Sequence, residues 1–382
     1  MKFAHMGDCH LGGWRQPELR ELNFKSFQLA VEKCLKERVE FILISGDLLD
    51  SAYPSIETLK EAFNEFRKIK EANIPVFLIA GSHDYSVSGK TFLEVLEKAG
   101  FCKNVSLFEE RNGKIFLHPT IFRNVALYGY PGKKSGLEVE DIERIKIHDS
   151  PGLFKILMLH TTLRDAIGNL PIKAVDHTAL PSVDYLALSH LHIKYNRERR
   201  VYSGPIFPNS LSELEELQGG SFYIFDNGKL RREELKIKEI VVFKIEIENA
   251  FDAADKIISE MEKGFIKDKV VMLKIGGVLK KGKIGDIKFS KIEDYIKKKE
   301  AFVLLKSTSR IYVTGPEMKI DYIDSANLEE EIMKRFEEKN PNKNNEIIPS
   351  LIRALQPEKL EDEKSLTFGD RIFSEVKKIF QL

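Results

Sequence analysis

A chain of 382 residues exceeds what one hydrophobic core usually serves, so two domains and a tail are expected. With 42% apolar and 31% charged residues it has ample core material and no sign of general disorder. The 60 basic residues balance 59 acidic ones, and a net charge of +1 neither requires nor excludes nucleic acid, whose binding needs only a local basic surface.

In chain order, Lys2–Met6 is a short apolar run that ends at Gly7-Asp8-Cys9-His10-Leu11-Gly12 and reads as a buried strand. A helix-period segment at 24–36 leads to a second strand at 41–45, which stops at Gly46-Asp47-Leu48-Leu49-Asp50. The helical pattern of Ile56–Glu71 precedes a strand at 76–80 and the sequence Gly81-Ser82-His83-Asp84. Further strands are expected at Val125–Tyr130, at 155–159 before His160, at 185–188 before Ser189 and His190-Leu191-His192, and at 222–225. The early strand-helix alternation gives a layered α/β sheet, and the more closely spaced later strands form a second one. The expected fold over 1–232 is therefore a two-sheet α/β sandwich.

The texture then changes. Strands at 240–247, 270–275 and 302–313 alternate with helices at 252–263 and 291–299, a small second α/β domain placed at 233–318. The remaining 319–382 reads as linker and amphipathic helix. Leu328, Ile332, Met333 and Phe336 make one apolar stripe, 340–345 is a polar break, and Ile372, Phe373, Val376, Ile379 and Phe380 make another stripe. Cys9, Cys34 and Cys102 are odd in number and form no C-x-x-C pair, which argues against a disulfide framework or structural zinc and suits a reducing, cytoplasmic setting. No membrane association is expected, since no apolar run approaches the ~20 residues of a span.

The polar strand ends carry the chemistry. Phosphodiester hydrolysis needs the charge on the phosphorus offset while a water becomes hydroxide, and two divalent ions roughly 3.5–4 Å apart do both. Such a pair needs a bridging carboxylate flanked by imidazoles and carboxylates. Asp8, His10, Asp47, His160, His190 and His192 meet that count, and the mixture suits Mn²⁺, Fe²⁺ or Zn²⁺ better than Mg²⁺ or Ca²⁺.

The order D-x-H, G-D-x-x, G-x-H-D, H, H-x-H resembles the calcineurin-like metallophosphoesterase superfamily. Within it, MKFAHMGDCHLG, FILISGDLLDSAYPS and YLALSHLH resemble the SbcD/Mre-type DNA double-strand break repair nuclease, over about the first 230 residues. The resemblance implies a metallophosphoesterase-type sandwich, a DNA-capping second domain and two Mn²⁺ ions per chain. Asp8, His10, Asp47 and His192 would hold one metal, with Asp47 bridging; His160, His190 and Ser82 would complete the second. His83 would stabilise the transition state or protonate the leaving 3′ oxygen. The family also implies a homodimer acting on DNA ends, with the C-terminal helices docked on the coiled coil of an SbcC/Rad-type ABC ATPase.

Two positions depart from that pattern. Ser82 stands where the family has an Asn ligand, and Asp50 where it has a His facing the DNA phosphate. A milder departure is Ser189 in place of Gly. The expected result is a weakened second site and low intrinsic activity. The reading is of a metal-dependent DNA exonuclease or endonuclease in end processing. The alternatives are a DNA-end scaffold with little catalysis and a phosphoesterase for small nucleotides or phosphoproteins. Arg197, Arg199 and Arg200 follow the His190/His192 pair and could meet a DNA backbone or be solvated loop charge. The same two readings apply to the twelve lysines against five acids between 263 and 300. His5, His118, His148 and His177 lie outside the motifs and read as ordinary surface or core histidines, and Cys9 as a small buried filler.

Overall fold

The structure, a computed structural model, describes residues 1–86, 89, 91–133, 137–168, 170–313, 347–355 and 365–380. The chain forms two compact units, Met1–Tyr312 and Val313–Leu382. The first begins β1 (Lys2–Met6), α1 (Pro17–Glu37), β2 (Phe41–Ile44), α2 (Ile56–Glu71), β3 (Val76–Leu78), α3 (Leu93–Lys98) and β4 (Lys103–Asn104). It continues through β5 (Phe108–Arg111), β6 (Lys114–Leu117), β7 (Thr120–Phe122), β8 (Val125–Tyr130), α4 (Glu138–Ile142) and β9 (Ile145–Ile147). Next come β10 (Phe154–His160), α5 (Arg164–Ile167), β11 (Tyr185–Ser189), β12 (Tyr195–Arg197), β13 (Arg200–Tyr202), α6 (Leu211–Leu217), β14 (Gly220–Asp226) and β15 (Lys229–Leu235).

Two six-stranded sheets face each other, ordered β15-β14-β1-β2-β3-β4 and β12-β13-β11-β10-β8-β7. Strand periodicity explains the layering. Phe3 of β1 and Phe41 and Leu43 of β2 point inward to meet Leu127, Ile156, Met158 and Ala187 of the opposite sheet. Their neighbours Ala4, Met6, Ile42 and Ile44 point outward under α1 and α2, against Phe27, Val31 and Phe66. Strands buried on both faces leave little room for polar residues that are not paired inside, as His5 of β1 is, and the ligand-type residues occur at the strand ends. Within each sheet the central strands run parallel, β1-β2-β3-β4 in one and β8-β10-β11-β13 in the other. Each group therefore delivers its polar residues at a single edge, the carboxyl ends, where α/β sheets bind ligands.

The two-sheet sandwich expected from the sequence is present, with local differences. Helix α1 starts at Pro17 rather than at 24, because proline at the first helical position has no N–H to leave unpaired. It ends where Arg38 turns left-handed, at φ 51°. Helix α2 is capped by Ser55, whose hydroxyl accepts from the Thr58 N–H at 3.2 Å. A three-stranded sheet β5-β6-β9, not anticipated, covers the outer face of the second sheet through Ile115, Leu117 and Ile145.

The same unit goes on through β16 (Ile240–Glu246), α7 (Ala253–Met261), β17 (Val270–Leu279), α8 (Phe289–Lys298) and β18 (Val303–Val313). The sheet β16-β17-β18 alternates in the same way. Val271, Leu273 and Ile275 face α7 and α8, while Val270 and Met272 pack on Trp14, Leu19, Leu22 and Leu214 beneath α1 and α6. In the second unit, Ile348–Leu355 and Ser365–Phe380 are helices; the apolar stripe at 328–336 and the polar break at 340–345 lie outside the described residues. Among the described residues no helix is long and apolar enough to cross a membrane.

Candidate metal centre

Four strand ends and the turn after β3 converge on one polar cluster. The turn after β1 is tied to the turn after β2 by the Asp8 N–H on the Gly46 carbonyl at 3.1 Å and the His10 N–H on the Asp47 carbonyl at 3.0 Å. Asp8, His10 and Asp47 take left-handed backbone, at φ 48°, 42° and 49°, and His190 lies at φ 97°. Such conformations cost free energy for non-glycine residues and gather where the surrounding structure fixes side chains for a task. Two glycines permit the close approach. A Cβ on Gly46 would sit 2.4 Å from His160 Nδ1, and one on Gly81 would sit 2.2 Å from Asp47 Oδ1.

Asp8, His10 and His192 place one donor atom each within 4.8 Å of one another, and so do Asp8, Asp47 and His160. All are buried except His192, whose side chain is 21% exposed. Asp8 belongs to both groups, and Asp47 also reaches across them: its Oδ2 lies 3.2 Å from His160 Nε2 and 3.8 Å from His10 Nε2, while its Oδ1 accepts from the His83 N–H at 2.8 Å. The His190 Nδ1 is 3.3 Å from His160 Nε2, and its backbone N–H donates to both Asp8 carboxylate oxygens at 3.0 and 3.1 Å.

Partners on the far side of each ring fix which nitrogen looks inward. His10 Nδ1 donates to Asp50 Oδ1 at 3.1 Å, and His192 Nδ1 to Glu213 Oε2 at 3.0 Å. His160 Nδ1 donates to the Ser189 hydroxyl at 2.9 Å, which in turn donates a hydrogen bond to the Ser45 carbonyl. The inward nitrogens of His10 and His192 are thereby aimed at each other, 3.1 Å apart. Two lone pairs so directed, ringed by buried carboxylates, fit a cation between them; a carboxylate or hydroxyl on each outer nitrogen is the usual support of a metal-binding imidazole. This donor set of imidazole and carboxylate suits a divalent first-row ion.

The electrostatics agree. Burial opposes the charge on His160 and His192, yet the Asp47 carboxylate beside the first and the Asp8 carboxylate beside the second, with Glu213, raise both to about 9. Burial likewise opposes the charge on Asp47, but His160 and then His10 hold its carboxyl well below the usual range. Burial and then the His160 charge depress His190. Each imidazole nitrogen in such a field is a site where a divalent cation competes with a proton.

The sequence-predicted residues fall into three groups. Asp8, His10, Asp47, His160, His190 and His192 are brought together. Ser82 stands at the rim, with Oγ 3.4 Å from Asp47 Oδ2. His83 is 47% exposed beside the cluster, its ring edge-on to His10 at 4.8 Å and its Nδ1 held by the Asp50 carbonyl at 3.0 Å, so that Nε2 is its outward atom. Asp50 turns its carboxylate to His10 and to Asn209, at 3.3 Å, instead of presenting it freely to solvent. Arg197, Arg199 and Arg200 do not join the cluster. Strand β13 runs parallel to β11 with Arg200 opposite Leu186, toward the end away from His190. Arg200 pairs with Asp165 at 3.3 Å and Glu198 at 3.0 Å, and Arg199 lies over the Phe225 ring.

Sequence reading missed Glu213, which comes 21 residues after His192. Its signal is the capping-box spacing Ser210-Leu211-Ser212-Glu213 at the start of α6: the Ser210 hydroxyl accepts from the Glu213 N–H at 3.2 Å, fixing the carboxylate that meets His192. Asp84 is not a ligand here. Its oxygens accept from the N–H groups of Gly81, Leu49 and Leu48 at 2.9, 3.0 and 3.4 Å, and burial, with the Asp47 charge, pushes its carboxyl up to about 7. His5 is a satisfied core histidine between Tyr185 and Ser45, both at 3.0 Å.

Residues 1–195, just over half of the chain, match the calcineurin-like phosphoesterase family, and the chain belongs to it. Among its relatives is the DNA double-strand break repair protein Mre11 of Methanosarcina mazei, 26% identical over 340 residues that make up 83% of this chain and 51% of that protein. The protein of the same description from Methanocaldococcus jannaschii is 28% identical over 278 residues, 66% of this chain and 72% of that one. An uncharacterized metallophosphoesterase of Bacillus subtilis, YhaO, is 30% identical over 207 residues, 50% of this chain and 48% of that one. The chain spans about half the length of the Methanosarcina mazei protein, 51%, and of the protein of the same description from Methanosarcina acetivorans, 52%.

Proposed function

We propose that the chain is a metal-dependent DNA nuclease that hydrolyses phosphodiester bonds at DNA ends in double-strand break repair. The observation that carries this is the convergence of Asp8, His10 and His192 with Asp47, His160 and His190, Asp47 lying between the two groups. Similarity to two archaeal proteins described as DNA double-strand break repair proteins supports the choice of DNA as substrate. Two ions held there, Mn²⁺ in this reading, would supply Lewis-acid charge and an activated water.

The chain's own residues do the rest. Asp47 offers its two oxygens to both sides of the centre. Asp50, Glu213 and Ser189 keep the inner nitrogens of His10, His192 and His160 aimed inward. His83 donates its Nδ1–H to the Asp50 carbonyl and turns Nε2 outward, so that as the imidazolium it can donate a proton to the leaving 3′ oxygen or a hydrogen bond to the phosphoryl group. In the same proposal, 233–318 caps the DNA and the chain acts as a homodimer. The helix Ser365–Phe380, with Phe373 and Phe380 exposed, is then the dock for the coiled coil of an ABC-type ATPase. Arg197, exposed in the β12-β13 hairpin, is the arginine of its group left for a phosphate contact.

End-labelled duplex incubated with Mn²⁺ should be shortened progressively. Turnover of a small aryl phosphodiester with the duplex untouched would replace this reading with a small-substrate phosphoesterase. Duplex binding with neither substrate cleaved would make the chain a DNA-end scaffold.

Ser82 sets a second expectation. Its hydroxyl is shorter than an asparagine amide and is directed to Asp47 Oδ2, so it supports the His160 side only from the rim. Ser82→Asn should lower the Mn²⁺ concentration for half-maximal activity by about 10-fold, roughly 1.4 kcal/mol. A titration that coincides with that of the unaltered protein would show that position 82 does not serve the metal.

A further inference from the structure

The sheet β5-β6-β9 carries a second group of metal-ligating side chains, apart from the strand-end centre. Glu109 in β5, His118 just after β6 and His148 just after β9 each place one donor atom within 4.8 Å of the others. Strand register brings them together. The His118 N–H donates to the Leu107 carbonyl at 2.8 Å, so His118 shares a face with Leu107 and with Glu109 two residues on. The His148 N–H donates to the Leu117 carbonyl at 3.0 Å, and the parallel register of β6 and β9 sets His118 and His148 side by side.

The two imidazoles stack with centroids 4.4 Å apart and planes 18° from parallel. Both Nε2 atoms face the same Glu109 Oε1, at 3.9 Å from His118 and 4.0 Å from His148. The backbone beneath is fixed, because the buried Tyr128 hydroxyl donates to the His148 carbonyl at 2.6 Å. The three side chains are 42%, 47% and 53% exposed, for His118, His148 and Glu109, which leaves room for water to complete a coordination shell.

We propose that Glu109, His118 and His148 form a separate divalent transition-metal site of zinc type, with two imidazole nitrogens, one carboxylate oxygen and solvent as ligands. Nitrogen and carboxylate bind zinc at about 2.0–2.2 Å, so tetrahedral spacing requires the Glu109 oxygen to come about half an ångström closer to each Nε2 and the stacked rings to turn until their lone pairs converge. Side-chain torsions supply that much. The ratio of imidazole to carboxylate matches that of the strand-end centre, and the general order of affinity places Zn²⁺ above Mn²⁺. Lys146, which the register also sets on this face, opposes a cation by charge and limits the affinity without blocking the donors. An ion here ties β5, β6 and β9 together on the outside of the sandwich. This inference does not rest on the nuclease reading.

The test is zinc binding by the full chain in excess Mn²⁺, read by competition with a chromogenic chelator, together with amide exchange in β5 and β9. A zinc ion that Asp47→Asn does not remove should bind and slow exchange in those strands. His148→Asn and Glu109→Gln, both at exposed side chains, should each weaken that zinc at least 10-fold and abolish the slowing, while Asp47→Asn leaves both intact. Zinc uptake lost in Asp47→Asn and kept in His148→Asn and Glu109→Gln would overturn the proposal, as would zinc binding that leaves exchange in β5 and β9 unchanged.

Discussion

Replacing Asp47 by asparagine is expected to abolish Mn²⁺-dependent phosphodiester cleavage and to reduce metal uptake on both sides of the centre. Asparagine keeps the shape and one carbonyl oxygen but removes the negative charge, and Asp47 Oδ2 lies near both His160 and His10. Loss of a partner that merely supports a metal ligand costs roughly 10- to 100-fold. Loss of charge on a group shared by both sides should exceed that. The fold should survive, because the Asp47 neighbours are turns tied by backbone hydrogen bonds between Asp8 and Gly46 and between His10 and Asp47. Activity and Mn²⁺ stoichiometry equal to those of the unaltered chain would mean that Asp47 does not hold metal.

His83→Ala is the second large expected effect, and its signature is different. The ring is half exposed and shares a donor group with His10 and Asp50 but with neither Asp8 nor Asp47, and its Nδ1 is engaged by the Asp50 carbonyl. Loss of a positioned proton donor lowers turnover by about 10²- to 10⁴-fold. Metal content should not change, and KM for the DNA should move little compared with kcat. If metal and activity fall together, His83 belongs to the cage.

The strand ends were legible in the sequence because apolar runs such as Lys2–Met6 and Phe41–Ile44 are buried on both faces and stop abruptly at Asp or His. What the sequence concealed is instructive. Strand β5, FEER, is exposed along its whole length, so it shows no hydrophobic period, and the small sheet that it edges went unread. Asp50 reads as a lost phosphate-facing histidine, whereas its carboxylate turns back to His10; direction is a property of the turn, not of the residue type. Ser189, a departure from the family's glycine, becomes the link between His160 and the Ser45 carbonyl. The arginines after His192 looked close to the centre by sequence distance. The β12-β13 hairpin reverses the chain and carries them toward the other end of β11. Glu213 was hidden because its helix start, not its neighbours in sequence, brings it to His192.

Asp8, His10, Asp47, His160, His190 and His192 are proposed to make one centre for two ions. Crystals of the full chain grown with Mn²⁺ and measured at the manganese absorption edge test it most directly. Two anomalous peaks should appear on either side of the Asp47 carboxylate, one beside His10 and His192 and the other beside His160 and His190, the second of lower occupancy because Ser82 contributes little. Both peaks should vanish in Asp47→Asn. Manganese bound elsewhere, or a single ion that contacts neither His160 nor His190, would contradict the account.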